Sequence, residues 1–414
     1  SYTEKSQRYI TLSDDFVLPQ EIVELGKADE FKKVIAAQNA LYHSLFEDLK
    51  TYHAKHDPVL AGNRRDLANR AKEDARYVAA LATIVEEREQ NEEKEDARYV
   101  AALATQSQLG MTVNARELEL MVRRFASHRL AEVRGLGQRL YDEAKKVAPS
   151  ILLFCEPNRF DQETYPALTE AAGKLRFEKR PQGDVTLIDS TEDADLRLLT
   201  ALLYRVGSAS FEACREAVEK MTDQQRLDLI KIAFERAELY DSMLREFEHV
   251  TLTYELICSA SCFAQLKRHR MASISPQPYD PDLGFSLPEP IERIGREAEF
   301  KQIMERSLTL YHEIARENPN AATYILTNAH RRRVLVTLNA RELYHFSRLR
   351  SDSHAQAEIQ GISNQMVHLG KMVMPLALLL AGGKDAYPQI YARIFGHPPK
   401  VIEAELPGER TIDP

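Results

Sequence analysis

Thr112-Val113-Asn114-Ala115-Arg116-Glu117-Leu118 recurs, with a single change, as Thr337-Leu338-Asn339-Ala340-Arg341-Glu342-Leu343. A second run follows each copy. Ser127-His128-Arg129-Leu130-Ala131-Glu132-Val133 answers to Ser353-His354-Ala355-Gln356-Ala357-Glu358-Ile359. Asn114 to Glu132 spans 18 steps and Asn339 to Glu358 spans 19, so one residue is missing from the first copy. A long amphipathic stretch then closes on Pro149 in one copy and on Pro375 in the other. Recurrence on this scale makes the chain two related halves. Their junction is expected between Glu178 and Asp184, where Lys179-Arg180-Pro181-Gln182-Gly183-Asp184 is polar and turn-forming. The halves are then residues 1–180 and 181–414.

Working outward, most segments read as helices. Leu118, Met121, Val122 and Phe125 recur at i, i+3, i+4 and i+7. Asn114 and Asn339 stand where N-caps belong. Asp29–Thr51, Ala209–Lys220, Asp223–Leu244 and Glu297–Glu317 are further helices, and the apolar run Met372–Ala381 reads as a buried one. Val250–Ile257 alternates β-branched and aromatic residues and is expected as a strand, with Val185–Ile188 a second. The class is a helix-rich α/β or α+β fold. A shorter exact repeat, EDARYVAALAT at Glu73–Thr83 and again at Glu95–Thr105, has an offset of 22 residues. That is about six helical turns, so it reads as a duplication that lengthens a helix.

Composition sets the outer bounds. At 414 residues with 44% apolar content, the chain can bury sizeable cores. Mean hydropathy is −0.41 and no apolar run reaches the ~18 residues of a membrane span. Against 63 Asp and Glu stand 55 Lys and Arg, a net charge of −8, so no global field draws nucleic acid. Cys155, Cys214, Cys258 and Cys262 form no CxxC pair, which argues against a disulfide scaffold or a structural zinc site. No secretory leader is visible, and a cytoplasmic location is expected. The chain starts at Ser1 without Met, so Ser1 is expected to follow a cleavage or a further segment of a longer gene product.

The common nucleotide and hydrolase motifs do not occur. Gly135-Leu136-Gly137 lacks a third glycine and sits within a helical pattern. Gly382-Gly383-Lys384-Asp385 has neither the spacing nor the hydroxyl of a phosphate loop. GxSxG and HExxH are both missing. Two clusters stand out instead. Arg268-His269-Arg270-Met271-Ala272-Ser273 follows the Val250 strand, and guanidinium forks match phosphate oxygens. Glu4-Lys5-Ser6-Gln7-Arg8-Tyr9 places Glu4, Ser6 and Arg8 on one edge if extended. Taken singly, the first is ordinary for a solvated surface and the second is weak.

Taken together, they resemble the signature RHRxxSxNExSxRY of the flavin-dependent thymidylate synthases. Arg268–Ser273 is similar to its first part and Ser1–Tyr9 to its second. Ala97-Arg98-Tyr99-Val100 resembles the family's Ala-Arg-x-Val segment, and Arg350–Ile359 its Arg-x-Asp-Ser-His-Ala-Gln-x-Glu-Ile run. The resemblance implies two tandem synthase-like repeats, the first starting inside the signature. It implies reductive methylation of dUMP to dTMP, with methylenetetrahydrofolate as carbon donor, FAD as cofactor and NADPH as reductant. Arg350 is the implied catalytic group, polarising the base without a nucleophilic cysteine. The implied dUMP ligands are Gln265, Arg268, Arg350, Glu4, Ser6, Arg8 and Arg98. The implied FAD ligands are Arg268, His269, Arg270, Ser273, Asn339, Arg341, His345, His354 and Glu4. No metal, nucleic acid or membrane partner is implied.

The two halves depart from the family in complementary ways. The second half has Ile274-Ser275-Pro276-Gln277-Pro278-Tyr279 in place of the dUMP segment, and Thr323 where the Ala-Arg-x-Val arginine belongs. The first half has Thr3 in place of the signature Asn, and Arg123-Arg124-Phe125-Ala126 opposite Arg348–Asp352. Arg98 keeps the site's spacing, 16 residues before Asn114, while Arg76 of the other EDARYV copy is read as structural. Composite sites, a first half facing a second half in a dimer of two-repeat chains, are therefore expected. Plain alternatives stay open: caps at Asn114 and Asn339, a surface arginine at Arg341, and structural i,i+4 pairs at His128/Glu132 and His354/Glu358. At the level of function, another flavin- or folate-dependent pyrimidine nucleotide modifier and a degenerate, non-catalytic nucleotide-binding homologue also remain open.

Overall fold

A computed structural model of the chain describes residues 2–4, 14–56, 97–106, 109–178, 183–239, 241–352 and 355–400, with the backbone alone at 2–4, 50, 51, 53–56, 98, 109 and 110. In chain order the main elements are β1 (Tyr2–Glu4), α1 (Ala28–His56), β2 (Leu109–Met111), α2 (Ala115–Ala126), α3 (Ala131–Val147), α4 (Arg159–Gly173), β3 (Val185–Ser190), α5 (Ala194–Val206), α6 (Phe211–Glu219), α7 (Asp223–Phe234), β4 (Thr251–Ser259), α8 (Ala260–Leu266), β5 (Ser273–Pro276), α9 (Glu297–Ala315), β6 (Arg331–Asn339), α10 (Ala340–Arg350), α11 (Ala357–Val373) and α12 (Tyr387–Phe395). They make a helix-rich α/β chain with a small antiparallel sheet. It divides into two compact units: residues 1–180 with 281–330, and residues 181–280 with 331–414. The break expected near residue 180 coincides with a unit boundary, but residues 281–330 belong with the first unit.

The second unit is built on a four-stranded sheet in the order β3-β4-β6-β5, every pair antiparallel. β4 and β6 pair over nine residues, from Thr251 opposite Asn339 to Ser259 opposite Arg331. In β4 the alternate side chains Leu252, Tyr254, Leu256 and Cys258 are buried, and they meet Val334, Val336 and Leu338 of β6 in one core. The Thr253 and Thr337 hydroxyls share a 2.9 Å hydrogen bond across the pair. Tyr254 crosses the core to donate its hydroxyl to the Met366 carbonyl at 2.8 Å. α11 can lie this close because residue 370 is glycine. A Cβ there would come within 3.0 Å of the Tyr254 hydroxyl and 2.7 Å of Leu378 Cδ1.

Two helix expectations in this unit are corrected. α7 ends at Phe234 and does not run on to Leu244. Phe234 and Phe247, which a continuous helix would set about 20 Å apart, have ring centroids 5.5 Å apart and both pack on Tyr344. The chain doubles back to bury them, and the Glu235 and Ala237 carbonyls are capped by the hydroxyls of Tyr391 and Tyr387. Of Met372–Ala381, Met374, Ala377, Leu378, Leu380 and Ala381 are buried, but Met372 and Val373 are exposed at the end of α11 and the residues after them are not a helix. α11 stops at Val373, ahead of Pro375, which cannot continue it. The turn that follows is tied down by Asp195, whose carboxylate accepts from the Leu376 and Ala377 amides at 3.0 and 2.8 Å.

The first unit contains a recurrence that the Thr112/Thr337 motif had not exposed. Leu18–His43 and Leu287–His312 are identical at 10 of 26 positions. Both carry a glycine in the left-handed region after a short helix, Gly26 at φ 69° and Gly295 at φ 75°. The counterpart residues Gln38 on α1 and Ser307 on α9 meet in the core, Gln38 Nε2 donating to Ser307 Oγ at 2.8 Å with both residues fully buried. Ala102 and Thr327, each 12 residues before its asparagine cap, face one another in an antiparallel bridge. Around them Leu103 N donates to Leu326 O and Asn328 N to Ala101 O, the same bond made twice about a local two-fold. These contacts draw residues 281–330 into the first unit. From Arg98 onward the second EDARYVAALAT copy consequently does not extend a helix. Among its described residues, 97–105, Ala97 is helical, Arg98–Val100 makes a short 3-10 turn, and Ala101–Thr105 is spent on bridges to Thr327 and Phe16. Glu73–Thr83 lies outside the described residues.

The register also recurs between the units. Tyr2 pairs with Met111 in β1–β2, as Ile274 pairs with Val336 in β5–β6, each partner three residues before its asparagine cap. Among the described residues, β1 and β2 are the first unit's only strands. Leu136 on α3 is 41% exposed there, whereas its counterpart Ile362 on α11 is 3% exposed under the larger sheet.

His330 gives this fold a pH dependence. It is buried and its Nδ1 accepts from the Thr327 amide at 3.0 Å. Burial depresses its pKa from 6.5 to about 4. The unfolded chain then binds a proton that the folded chain refuses, so stability is full above pH 6.5 and is lost as pH falls toward 4. The group accounts for about 3 kcal/mol over that window. Urea unfolding at pH 7 and pH 4.5 should show a smaller acid loss for His330→Asn than for the unaltered chain, after both are referenced to pH 7.

Candidate active site

Four local devices in the second unit bring the site together. Ser259 caps α8, accepting from Cys262 N at 3.1 Å, and its own amide donates to Glu358 at 2.9 Å. That double tie aims α8 and delivers the Arg268-His269-Arg270 turn beside α10. Asn339 caps α10, its Oδ1 accepting from Glu342 N at 2.8 Å. Arg341, His345 and Arg348 then recur at i, i+4 and i+7 along α10 and line one wall of a cleft of ≈ 770 Å³. The Gly382-Gly383 loop supplies another part of the lining. Gly383 lies against Ser351, where a Cβ would stand 2.4 Å from the carbonyl oxygen, and Lys384 pairs with Asp352 at 2.8 Å.

The cleft is strongly cationic. Arg268, Arg270, Arg341, Arg348 and Lys384 all line it, against Glu342 and Asp385. Arg341 is anchored by Glu248 at 2.8 Å and by the Met243 carbonyl at 2.7 Å. Arg348 stacks on the Tyr387 ring with its guanidinium 5.5 Å from the centroid, and burial holds its pKa down. One of its nitrogens, Nη2, is buried with no hydrogen-bond partner among the described residues. Five cations, one with an orphaned buried N–H, suit a ligand carrying phosphate groups.

Behind that wall, Glu342, Phe346 and Arg350 recur at i, i+4 and i+8 on α10, and His269 lies along the row. Its Nδ1 is 3.1 Å from Glu342 Oε1, its ring meets Phe346 edge-on at 4.5 Å, and its Nε2 accepts from Arg350 Nε at 3.1 Å. Arg350 also donates through Nη1 to Gln265 Oε1 at 2.8 Å and through Nη2 to the Gln265 carbonyl at 3.3 Å. Burial lowers the His269 pKa, Arg350 pushes the same way, and Glu342 opposes them. The imidazole is therefore neutral near pH 7.

Gln265, Arg268, His269, Arg270, Asn339, Arg341, His345 and Arg350 are thus gathered in one region. Arg268, Arg270 and His345 are exposed at the cleft, while His269 is 4% exposed and has both ring nitrogens occupied within the protein. Ser273 is exposed on β5. Ser6, Arg8 and His354 lie outside the described residues, as do the side chains of Glu4 and Arg98. The pairs expected at i,i+4 are also settled in part. Glu358 is bound by Ser259, and its pairing with His354 lies outside the described residues. His128 precedes α3 and does not share a helix with Glu132, which instead accepts from the Tyr324 hydroxyl. Glu342, Arg348 and Lys384 are site residues that the motifs did not single out. For Glu342 the i, i+4, i+8 spacing with Phe346 and Arg350 was the available signal.

The sequence matches the family described as "Thymidylate synthase complementing protein" over residues 1–150 and 186–376. A protein named UPF0159 protein from Chlamydia muridarum is 23% identical over 273 residues, 63% of this chain and 52% of its own length. The flavin-dependent thymidylate synthase of Thermococcus onnurineus is 36% identical over 132 residues, 29% of this chain and 54% of its own. That of Geobacter sulfurreducens is 28% identical over 208 residues, 48% and 86% of the two chains. The chain spans about half the length of the first of these relatives. A solved UMP/dUMP methylase from Streptomyces cacaoi aligns at a TM-score of 0.38 and 21% identity, over 50% of this chain and 99% of that one, too loose a superposition to carry weight. The family match takes in both halves and most of the residues, so the chain belongs to the thymidylate synthase complementing proteins, the family of the flavin-dependent thymidylate synthases.

Proposed function

We propose that the protein is an FAD-dependent thymidylate synthase of tandem-repeat form. It converts dUMP to dTMP with methylenetetrahydrofolate as carbon donor and NADPH as reductant. The observation that carries this reading is the cationic cleft at Arg268, Arg270 and Arg341, in a chain of this family, where the signature-like Arg268–Ser273 segment meets α10 behind its Asn339 cap. When bound, FAD supplies the hydride. Arg268, Arg270, Arg341, His345 and Arg348 are the residues that would hold its anionic groups. Arg350, kept in place by Gln265 and His269, polarises the pyrimidine by aiming fixed N–H donors where negative charge develops. The four cysteines are all free, which suits a reducing cytoplasm.

The proposal extends to composite sites. Each half lacks mainly what the other keeps, so Glu4, Ser6, Arg8 and Arg98 of one chain would complete the dUMP site of another, giving a dimer of two-repeat chains. The recurring register of β1–β2 and β5–β6, and the paired counterparts Gln38 and Ser307, support the two-repeat form.

The direct test is tritium release from [5-³H]dUMP with methylenetetrahydrofolate and NADPH. Release together with absorbance near ~450 nm from bound flavin is expected, and a yellow protein that releases none would sink the synthase assignment. For the dUMP site, Arg350→Ala and Arg8→Ala should each weaken dUMP binding by about tenfold or more, the loss of one charge-assisted hydrogen bond. Full affinity in both variants would exclude the division of labour between halves.

A further inference from the structure

One carboxylate in this region has no part in the chemistry above. Glu342 is buried at the first turn of α10, its side chain 8% exposed, beside a His269 side chain that is 3% exposed. Arg350 Nε can only donate, so the His269 Nε2 that it contacts must be a bare acceptor. The proton of the neutral ring is then on Nδ1, facing Glu342 Oε1 at 3.1 Å. We propose that Glu342 is a positioning residue: it selects the Nδ1–H tautomer of His269, and the freed Nε2 lone pair sets the plane of the Arg350 guanidinium. The inference rests on the reading of Arg350 as the group that meets the pyrimidine.

The geometry supports this order of action. Among the described residues Arg350 donates to His269 Nε2, Gln265 Oε1 and the Gln265 carbonyl, and these contacts define the plane of its guanidinium. The two from Gln265 come from one residue at one end of α8, and the imidazole braces the guanidinium from a second direction. In the opposite tautomer Nε2–H would point at Arg350 Nε–H, two donors face to face, and Nδ1 would present a lone pair to a carboxylate. Both contacts would be repulsive in a site with little water. Protonation of the ring has the same effect on the Arg350 side. The charged or titratable groups facing the ring are Glu342, His345 and Arg350 from α10, with Arg268 and Arg270 adjacent on its own turn. Of these, Glu342 alone favours the imidazolium.

The test compares the full chain with Glu342→Gln, which keeps an acceptor without the charge, and Glu342→Leu, which has neither. Long-range ¹H–¹⁵N spectra of the His269 ring should show Nδ1 protonated and Nε2 bare in the unaltered chain, and a mixture of tautomers in Glu342→Leu. At pH 8, calorimetric dUMP affinity of the FAD-loaded protein should fall about threefold in Glu342→Gln and about tenfold or more in Glu342→Leu. The acid limb of dUMP binding should move to lower pH in Glu342→Gln, because the charge that stabilises the imidazolium is gone. A role in folding alone would not move that limb. An Nε2-protonated ring in the unaltered chain would overturn the proposal, as would unchanged affinity and an unmoved limb in the variants. If the unaltered chain takes up no dUMP at all, the thymidylate reading fails on its own account. The ring spectra of the unaltered chain and Glu342→Leu then still decide for or against Glu342.

Discussion

The nine-residue antiparallel register between β4 and β6 is the constraint on which the second unit depends. Each strand runs directly into a helix, β4 into α8 at Ser259 and β6 into α10 at Asn339, and the two junctions lie at opposite ends of the pair. α10 therefore runs back along the sheet until Arg350 meets Gln265 at the end of α8. A slip of one residue would turn Tyr254, Val336 and their neighbours out of the core and displace both helix starts. The threonine pair on the solvent side and the Tyr254 bond to α11 on the other hold the register from both faces.

The site follows from that crossing. His269 lies along three turns of α10 and converts a helix-on-turn contact into a defined arrangement of hydrogen bonds. Near it, a chain with a net charge of −8 concentrates five cations around one cleft. The field that matters to an anionic ligand is this local one, because exposed charges more than about a Debye length away, ~10 Å, are screened. The carboxylates close to the cleft are mostly committed: Glu248 to Arg341, Asp352 to Lys384, Glu342 to His269.

Much of this was legible in the residues. Asn114 and Asn339 are N-caps as their spacing implied, and α2, α6, α9 and α1 lie within a few residues of their expected positions. β4 and β3 were visible as alternating β-branched runs, though each continues two residues further. The Arg268–Ser273 cluster does border a cleft. Misreadings arose where burial outweighed local pattern. Asp223–Leu244 has helical composition throughout, yet pairing Phe234 with Phe247 breaks it. Ala97–Thr105 is rich in helix formers, yet its backbone is used to bridge Thr327 and Phe16. The Leu18/Leu287 recurrence is weaker in identity than the Thr112/Thr337 motif.

By itself the sequence determined what depends on near neighbours: the caps, the amphipathic faces, the β alternation and the arginine cluster. These depend on neighbours within a turn or a strand, where backbone geometry alone sets the spacing. Tertiary structure decided which distant groups meet. Glu342 lies 73 positions from His269, and Gln265 85 from Arg350. Residues 281–330 group with residues 1–180 and not with the segments on either side of them. No local rule ranks such pairings. They are chosen by which apolar faces must be buried together, and by the requirement that each polar group carried into the core find a partner there.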